Sequence, residues 1–172
     1  MQNQAKWYYY VFAAPIYLLM LLPLPVLYLL SNCLTFLAYH IIKYRKKVVF
    51  TNLHNAFPDK SEQEIIRIAK MYYRNMIDVF IETFKTLTLS EKQLTNRVKM
   101  ENTEFIKELH KNNTSVVLLL GHLGNWEWGG FSYTYQLGYP VGTLYHPLTN
   151  KFFDWLMYKI RAKCGVDLIA MQ

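Results

Sequence analysis

Apolar and polar positions divide this chain unevenly. Residues 7–42 contain no Asp, Glu, Lys or Arg, and about 20 apolar residues suffice for a helix to cross a bilayer. Pro15, Pro23 and Pro25 interrupt the run, and an interior proline removes a helix hydrogen bond. The pattern therefore fits one kinked span, a shallow helical hairpin, or a buried helical pair of a soluble protein. Lys43, Arg45, Lys46 and Lys47 follow at once. Beside a membrane segment, such a cluster marks the cytoplasmic side and attracts anionic headgroups; taken alone it is a solvated charge run. A cleaved signal peptide is disfavoured, because only Lys6 precedes the run and no small-x-small site follows it.

Beyond residue 43 the pattern becomes that of a folded domain. Pro58-Asp59-Lys60 closes one helical segment, and Ser61-Glu62-Gln63-Glu64 opens the next with a capping box. Ile65, Ala69, Tyr72, Met76 and Phe80 recur at helical spacing, with Arg67, Lys70 and Arg74 elsewhere around the cylinder, which predicts a packing helix. Residues 101–110 form a short charged helix ended by the turn residues Asn112-Asn113. The Val/Leu run before Gly121 reads as a buried parallel strand, followed by a helix over 126–137. Gly138-Tyr139-Pro140 then turns into a strand over 141–145. A helix over 151–163 is capped by Gly165, and a last strand runs over 166–170.

The order β-α-β-α-β predicts an α/β fold with a mostly parallel sheet flanked by helices, preceded by an N-terminal membrane-associated helical segment. The division expected is an anchor segment over residues 1–43 and a domain over 44–172. No repeat, low-complexity tract or linker interrupts it.

Composition narrows the chemistry. With 52% hydrophobic and 16% aromatic residues among 172, there is ample material for a core. A net charge of +7 calls for an anionic partner, acidic lipid or nucleic acid. The charge-free N-terminal run and the lack of any nucleic-acid motif favour lipid. Cys33 and Cys164 have neither disulfide-framework nor zinc spacing, which fits a cytoplasmic redox setting. His40, His54 and His110 lack metal-ligand spacing, and there is no P-loop or nucleophile elbow. No metal or nucleotide cofactor is expected.

Chemistry concentrates after Gly121. Glu127 lies five residues beyond His122, and on one regular helix that spacing is roughly 140° around the axis. If the two cooperate, His122 must lie in the loop before the helix, where Gly121 and Gly124 permit unusual backbone angles. Such a loop stands at the carboxyl end of a strand, where open α/β sheets bind ligands. A carboxylate that accepts from one imidazole nitrogen leaves the other basic towards a hydroxyl, the logic of a base and its orienter. The alternative is a helix-capping histidine with Glu127 favoured by the helix dipole. Asn125 is either a plain N-cap or, with the first N–H groups of the helix, a candidate donor to an oxyanion or phosphate.

The segment H-L-G-N-W-E, from His122 to Glu127, resembles the H-x4-D/E motif of glycerolipid-type acyltransferases. Its Glu form is similar to that of the late acyltransferases of bacterial lipid A biosynthesis. RKKVVFTNLHNAFP, from Arg45 to Pro58, resembles an upstream segment of that family in which an arginine precedes N-L-x-x-A-F-P. YHPLTNKFFDWLMYKIR, from Tyr145 to Arg161, resembles the stretch that ends in a functional arginine. Nearly the whole chain takes part in the resemblance. Members are substantially longer, and residues 168–172 read as a strand, so the resemblance implies an N-terminal portion of the full fold, incomplete at its C-terminus.

That resemblance implies His122 as general base and Glu127 as its partner. It also implies an acyl carrier protein thioester as donor, and transfer to a hydroxyl of a lipid A precursor at the cytoplasmic face of a bacterial inner membrane. Arg161 matches the family's arginine, and a guanidinium suits a phosphate or carboxylate on the acceptor. Where many relatives carry Arg in a Tyr-Arg-Pro turn, this chain has Tyr145-His146-Pro147. His146 is thus a candidate headgroup contact that keeps a lysophospholipid or aminolipid acceptor open. A catalytically inactive membrane protein that binds anionic lipid is the rival from another class.

Overall fold

The computed structural model describes residues 6–171. Two compact units make up the fold. One is the chain up to Leu21 together with Glu82 onward, and the other is Leu22–Ile81.

The Leu22–Ile81 unit is helical. Helix α2 (Leu24–Phe36) starts after Pro23 with a further proline in its first turn, where the missing N–H has no intrahelical partner to lose. It runs on into a π-helical turn, Leu37–Ile41. Together these 18 residues, with a mean hydropathy of 1.5, are long and apolar enough to cross a membrane. Helices α3 (Lys46–Ala56) and α4 (Glu62–Lys85) follow, and α4 carries on into the other unit.

The expected capping box starts α4. The Ser61 N–H donates to Glu64 Oε2 at 3.0 Å, and the Glu64 N–H donates to Ser61 Oγ at 3.4 Å. A core of Ala38, Tyr39, Ala69 and Tyr73 is lined by Val49, Phe50, Leu53, Met76 and Ile77. The buried stripe of α4 thus differs from the predicted one. Tyr72 and Phe80 are exposed, and Tyr73 is fully buried instead. The reason is polar: the Tyr73 hydroxyl reaches inward and donates to the Tyr44 carbonyl at 2.5 Å. Tyr44 stands between Lys43 and Arg45, both held at positive φ. Such backbone is costly for residues with a side chain, and the Tyr73 bond helps to fix it. Ser31, fully buried on α2, donates to Asp78 Oδ1 of α4 at 2.5 Å.

The other unit begins with α1 (Trp7–Met20), which contains Pro15. The apolar run is therefore two helices interrupted at residues 21–23. Tyr9 of α1 is buried against Phe152 and Trp155, with ring centroids at 5.8 and 5.5 Å. The Met20 carbonyl, at the end of α1, accepts from Lys85 Nζ at 2.7 Å and Thr88 Oγ1 at 2.6 Å. Burial and the nearby Arg97 push the Lys85 pKa down. Short helices α5 (Glu91–Thr95) and α6 (Thr103–Lys111) lead to α7 (Trp126–Leu137).

Strand β1 (Val141–Tyr145), helix α8 (Lys151–Lys163) and strand β2 (Val166–Ala170) form one βαβ unit. Its strands pair in parallel from Val141↔Val166 to Tyr145↔Ala170. Leu156, Ile160 and Val166 of this βαβ unit are buried, as are Trp128 and Phe131 of α7. Burying side chains of this size contributes about 1.5–3 kcal/mol each.

The sheet is smaller than predicted. Among the described residues it has two strands, and most of the fold is helical. Residues 116–120 form no strand; Val117 is 84% exposed and Leu119 is 92% exposed. A strand takes its hydrogen bonds from a neighbour, and among the described residues β1 and β2 pair only with each other. Apolar composition alone does not supply a ladder.

Candidate active site

The start of α7 is assembled by local chemistry and by one long-range tie. Asn125 is the N-cap, and its Oδ1 accepts from the Trp128 N–H at 2.9 Å. This satisfies one of the donors that a helix start leaves without a partner. The other end of the same amide donates to Glu82 Oε2 at 2.6 Å. The Trp128 indole N–H lies 2.9 Å from the Glu82 carbonyl and 3.0 Å from Thr86 Oγ1. The end of α4 therefore fixes where α7 begins. Glu82 and Thr86 carry no local sequence signal for this role, because their partners lie more than forty positions away.

His122 lies in irregular chain before α7, as the spacing argument required, and Gly124 turns the backbone between them at φ +57°. Its imidazole is exposed and packs against Trp126, with ring centroids 5.0 Å apart and planes at 57°. Glu127, in the first turn of α7, turns to a different partner. Arg161 Nη2 donates to Glu127 Oε1 at 2.5 Å and Arg161 Nε donates to Glu127 Oε2 at 3.1 Å. The Glu127 side chain is only 11% exposed and that of Arg161 21%. A fork-to-fork contact of this kind is among the stronger ion pairs, since both carboxylate oxygens are used and water is largely kept away. The structure thus joins two of the candidates, Glu127 and Arg161, from α7 and α8. His122 stands one residue from the pair, through Trp126.

Arg161 is placed by the way α8 is anchored. Asn150 caps the helix by accepting from the N–H groups of Phe152 and Phe153, at 3.0 and 3.2 Å. Buried Asp154 accepts from the Leu148 N–H at 2.8 Å. At the other end, Lys163 Nζ donates to the carbonyls of Thr86, Leu87 and Leu89 at 2.7–2.8 Å. Burial pushes the Lys163 pKa down. Lys163 thus pins the C-terminal end of α8 to the turn after α4.

His146 follows β1 at its carboxyl end. It is exposed, with Nδ1 3.0 Å from the Pro147 carbonyl, and it touches neither Arg161 nor Glu127. A pocket of about 270 Å³ opens beside α7, lined by Val98, Lys99, Met100, Glu101, Gly129 and Tyr133, away from the candidate residues. Among the described residues no three His, Cys, Asp or Glu side chains converge to hold a metal ion.

Comparison with known proteins gives this arrangement a context. The family model for bacterial lipid A biosynthesis acyltransferases matches residues 2–172. The chain belongs to this family. Among relatives, it is 26% identical over 150 residues to a lipid A biosynthesis lauroyltransferase of Escherichia coli (strain K12), covering 87% of this chain and 48% of that protein. A lipid A biosynthesis palmitoleoyltransferase of the same strain is 23% identical over 148 residues, 86% of this chain and 48% of its own length. A lipid A biosynthesis acyltransferase of Haemophilus influenzae is 24% identical over 133 residues, 77% of this chain and 42% of its own length. The chain spans about half the length of the curated relatives it matches. No solved structure matches it significantly.

Proposed function

We propose that the whole protein transfers a fatty acyl group from acyl carrier protein to a hydroxyl of a lipid A precursor, at the cytoplasmic face of a bacterial inner membrane. The observation that carries this reading is an accessible imidazole, His122, set just before a helix whose first turn presents Glu127, in a chain of the lipid A acyltransferase family.

In the reaction, His122 takes the proton of the acceptor hydroxyl as its oxygen attacks the thioester carbonyl. The tetrahedral intermediate then expels the carrier thiolate, which receives that proton from the imidazolium. Glu127 stabilises the charged imidazole, and first-turn N–H groups of α7 serve as donors to the developing oxyanion. Arg161 serves the anionic part of the acceptor, for which a planar fork of donors is suited.

Membrane attachment belongs to the same proposal. It is supported by α1, by the 18-residue span Leu24–Ile41, and by the basic cluster from Lys43 to Lys47. Trp7, Phe12, Leu18, Leu29, Ile41 and Ile42 expose large apolar side chains, which a bilayer would cover. His146 supports a second reading of the acceptor as a lysophospholipid or aminolipid, because it stands where the family resemblance implies an arginine and is a weaker anion ligand.

The test is direct acyl transfer by the purified full-length protein. It should move a fatty acyl group from a carrier-protein thioester to a phosphorylated disaccharide lipid, and His122→Ala should lose the activity by about 100-fold or more, the scale of general-base catalysis. Undiminished turnover in His122→Ala would remove the reading.

A further inference from the structure

Resting on the acyl-transfer reading above, the geometry points to Arg161 as an acceptor-sensing residue: its guanidinium leaves Glu127 for an anionic group of the acceptor, and so releases Glu127 to hold His122.

Both oxygens of Glu127 are engaged by one guanidinium. His122, by contrast, has an exposed ring that packs tilted against Trp126. Glu127 therefore serves Arg161 and not the base. The carboxylate is too enclosed, at 11% exposure, to stand alone cheaply, since a poorly solvated charge needs a partner. Two partners compete for it across the start of α7. Arg161 holds it until something binds that guanidinium better.

A phosphate on the acceptor is such a competitor. It presents more charge and more oxygens than a carboxylate to the same donor fork. When Arg161 turns to it, Glu127 is left beside the loop that carries His122, and a hydrogen bond to the imidazole replaces the lost pair. That bond strengthens as His122 takes up the hydroxyl proton and becomes cationic. The cost of parting Arg161 from Glu127 is thus returned in the transition state, where it raises kcat. An acceptor without the anion would bind and still react slowly, because Glu127 stays with Arg161. The pair selects acceptors by making the base competent only when the correct headgroup is present.

The experiment uses purified full-length protein, a carrier-protein acyl thioester and two acceptors, a phosphorylated disaccharide lipid and its dephosphorylated form. The wild type should lose about tenfold or more in kcat on the phosphate-free acceptor, the scale of one charged bidentate contact. Arg161→Gln should lower kcat/KM on the phosphorylated acceptor and raise kcat several-fold above wild type on the phosphate-free one. An arginine that only binds phosphate would leave the phosphate-free rate unchanged, and one that stabilises the oxyanion would lower both rates. Either result overturns the proposal. Arg161→Lys keeps a cation beside Glu127 and serves where the glutamine variant does not fold; it should shift both rates the same way by a smaller factor, and no gain on the phosphate-free acceptor overturns the proposal equally. His122→Ala separates the two ideas. If it remains active, the acyl-transfer reading fails; if it is inactive while neither Arg161 variant gains, only the sensing role fails.

Discussion

Asn125 and Glu82 meet at 2.6 Å, amide to carboxylate, and the same amide caps α7 through the Trp128 N–H at 2.9 Å. One side chain thus ties the helix that follows the candidate base to the end of α4. Its two ends do separate jobs, so two substitutions tell them apart.

Asn125→Ala removes both bonds and should lower stability by about 1 kcal/mol for the cap alone, with a further loss because Glu82 gives up a donor. Asn125→Asp keeps the capping oxygen but sets a carboxylate against Glu82. Like charges at that distance oppose ionisation, so this variant should be destabilised at neutral pH and regain stability as acid protonates one member of the pair. Urea midpoints of the full-length protein in detergent, compared at pH about 7 and about 5, check both statements. Equal midpoints for Asn125→Asp at the two pH values would show that the Glu82 contact carries no charge effect.

Tyr73→Phe keeps the ring in the core of the Leu22–Ile81 unit and deletes only the bond to the Tyr44 carbonyl. The expected loss is about 1 kcal/mol, or up to about 3 if the carbonyl is left without water. Tyr72→Phe, at an exposed ring one position earlier, should change stability little. Thermal melts of the two variants distinguish the positions.

Tyr135 gives an alkaline prediction. Burial, with Cys164 beside it, pushes its pKa up to about 12, against about 10 in an unfolded chain. Between those values the unfolded state has released the proton that the folded state still holds. The folded state binds more protons there, so stability falls as pH rises. The contribution is fully present below pH about 10 and is lost as pH approaches about 12. Tyr135→Phe should flatten that decline, which chemical denaturation across the alkaline range measures directly.

Much of this architecture was legible in local sequence. The βαβ stretch announced itself because its elements carry their own boundary signals: Gly138-Tyr139-Pro140 as the turn before β1, Gly165 as stop at φ +73°, and short apolar runs on either side of α8. The capping box at Ser61 and the N-cap at Asn125 followed from side-chain chemistry acting over three residues. The capping box of Ser90 and Gln93, which starts α5, had the same signature and could have been read in the same way.

What local sequence did not disclose is what depends on distant partners. Residues 116–120 have strand composition, but pairing decides a strand and composition does not supply it. Tyr73 displaces Tyr72 from the core for a carbonyl 29 positions away. Glu127 was read with His122, five residues off, and its bonds go to Arg161, 34 residues off. Lys163 reaches three carbonyls more than seventy positions earlier. The resemblance named both members of the Glu127–Arg161 pair, and only the folded chain, through side-chain bonds between α7 and α8, joined them.

The claim that most needs testing is that His122 is the base of an acyl transfer to lipid A. Mass spectrometry of membrane lipids, from source cells carrying the full-length locus intact or as His122→Ala, tests it most directly. The account predicts that lipid A loses one acyl chain in the variant, while the protein is still made and the phospholipids are unchanged. Lipid A and every other lipid unaltered, with His122→Ala present at normal levels, would contradict it.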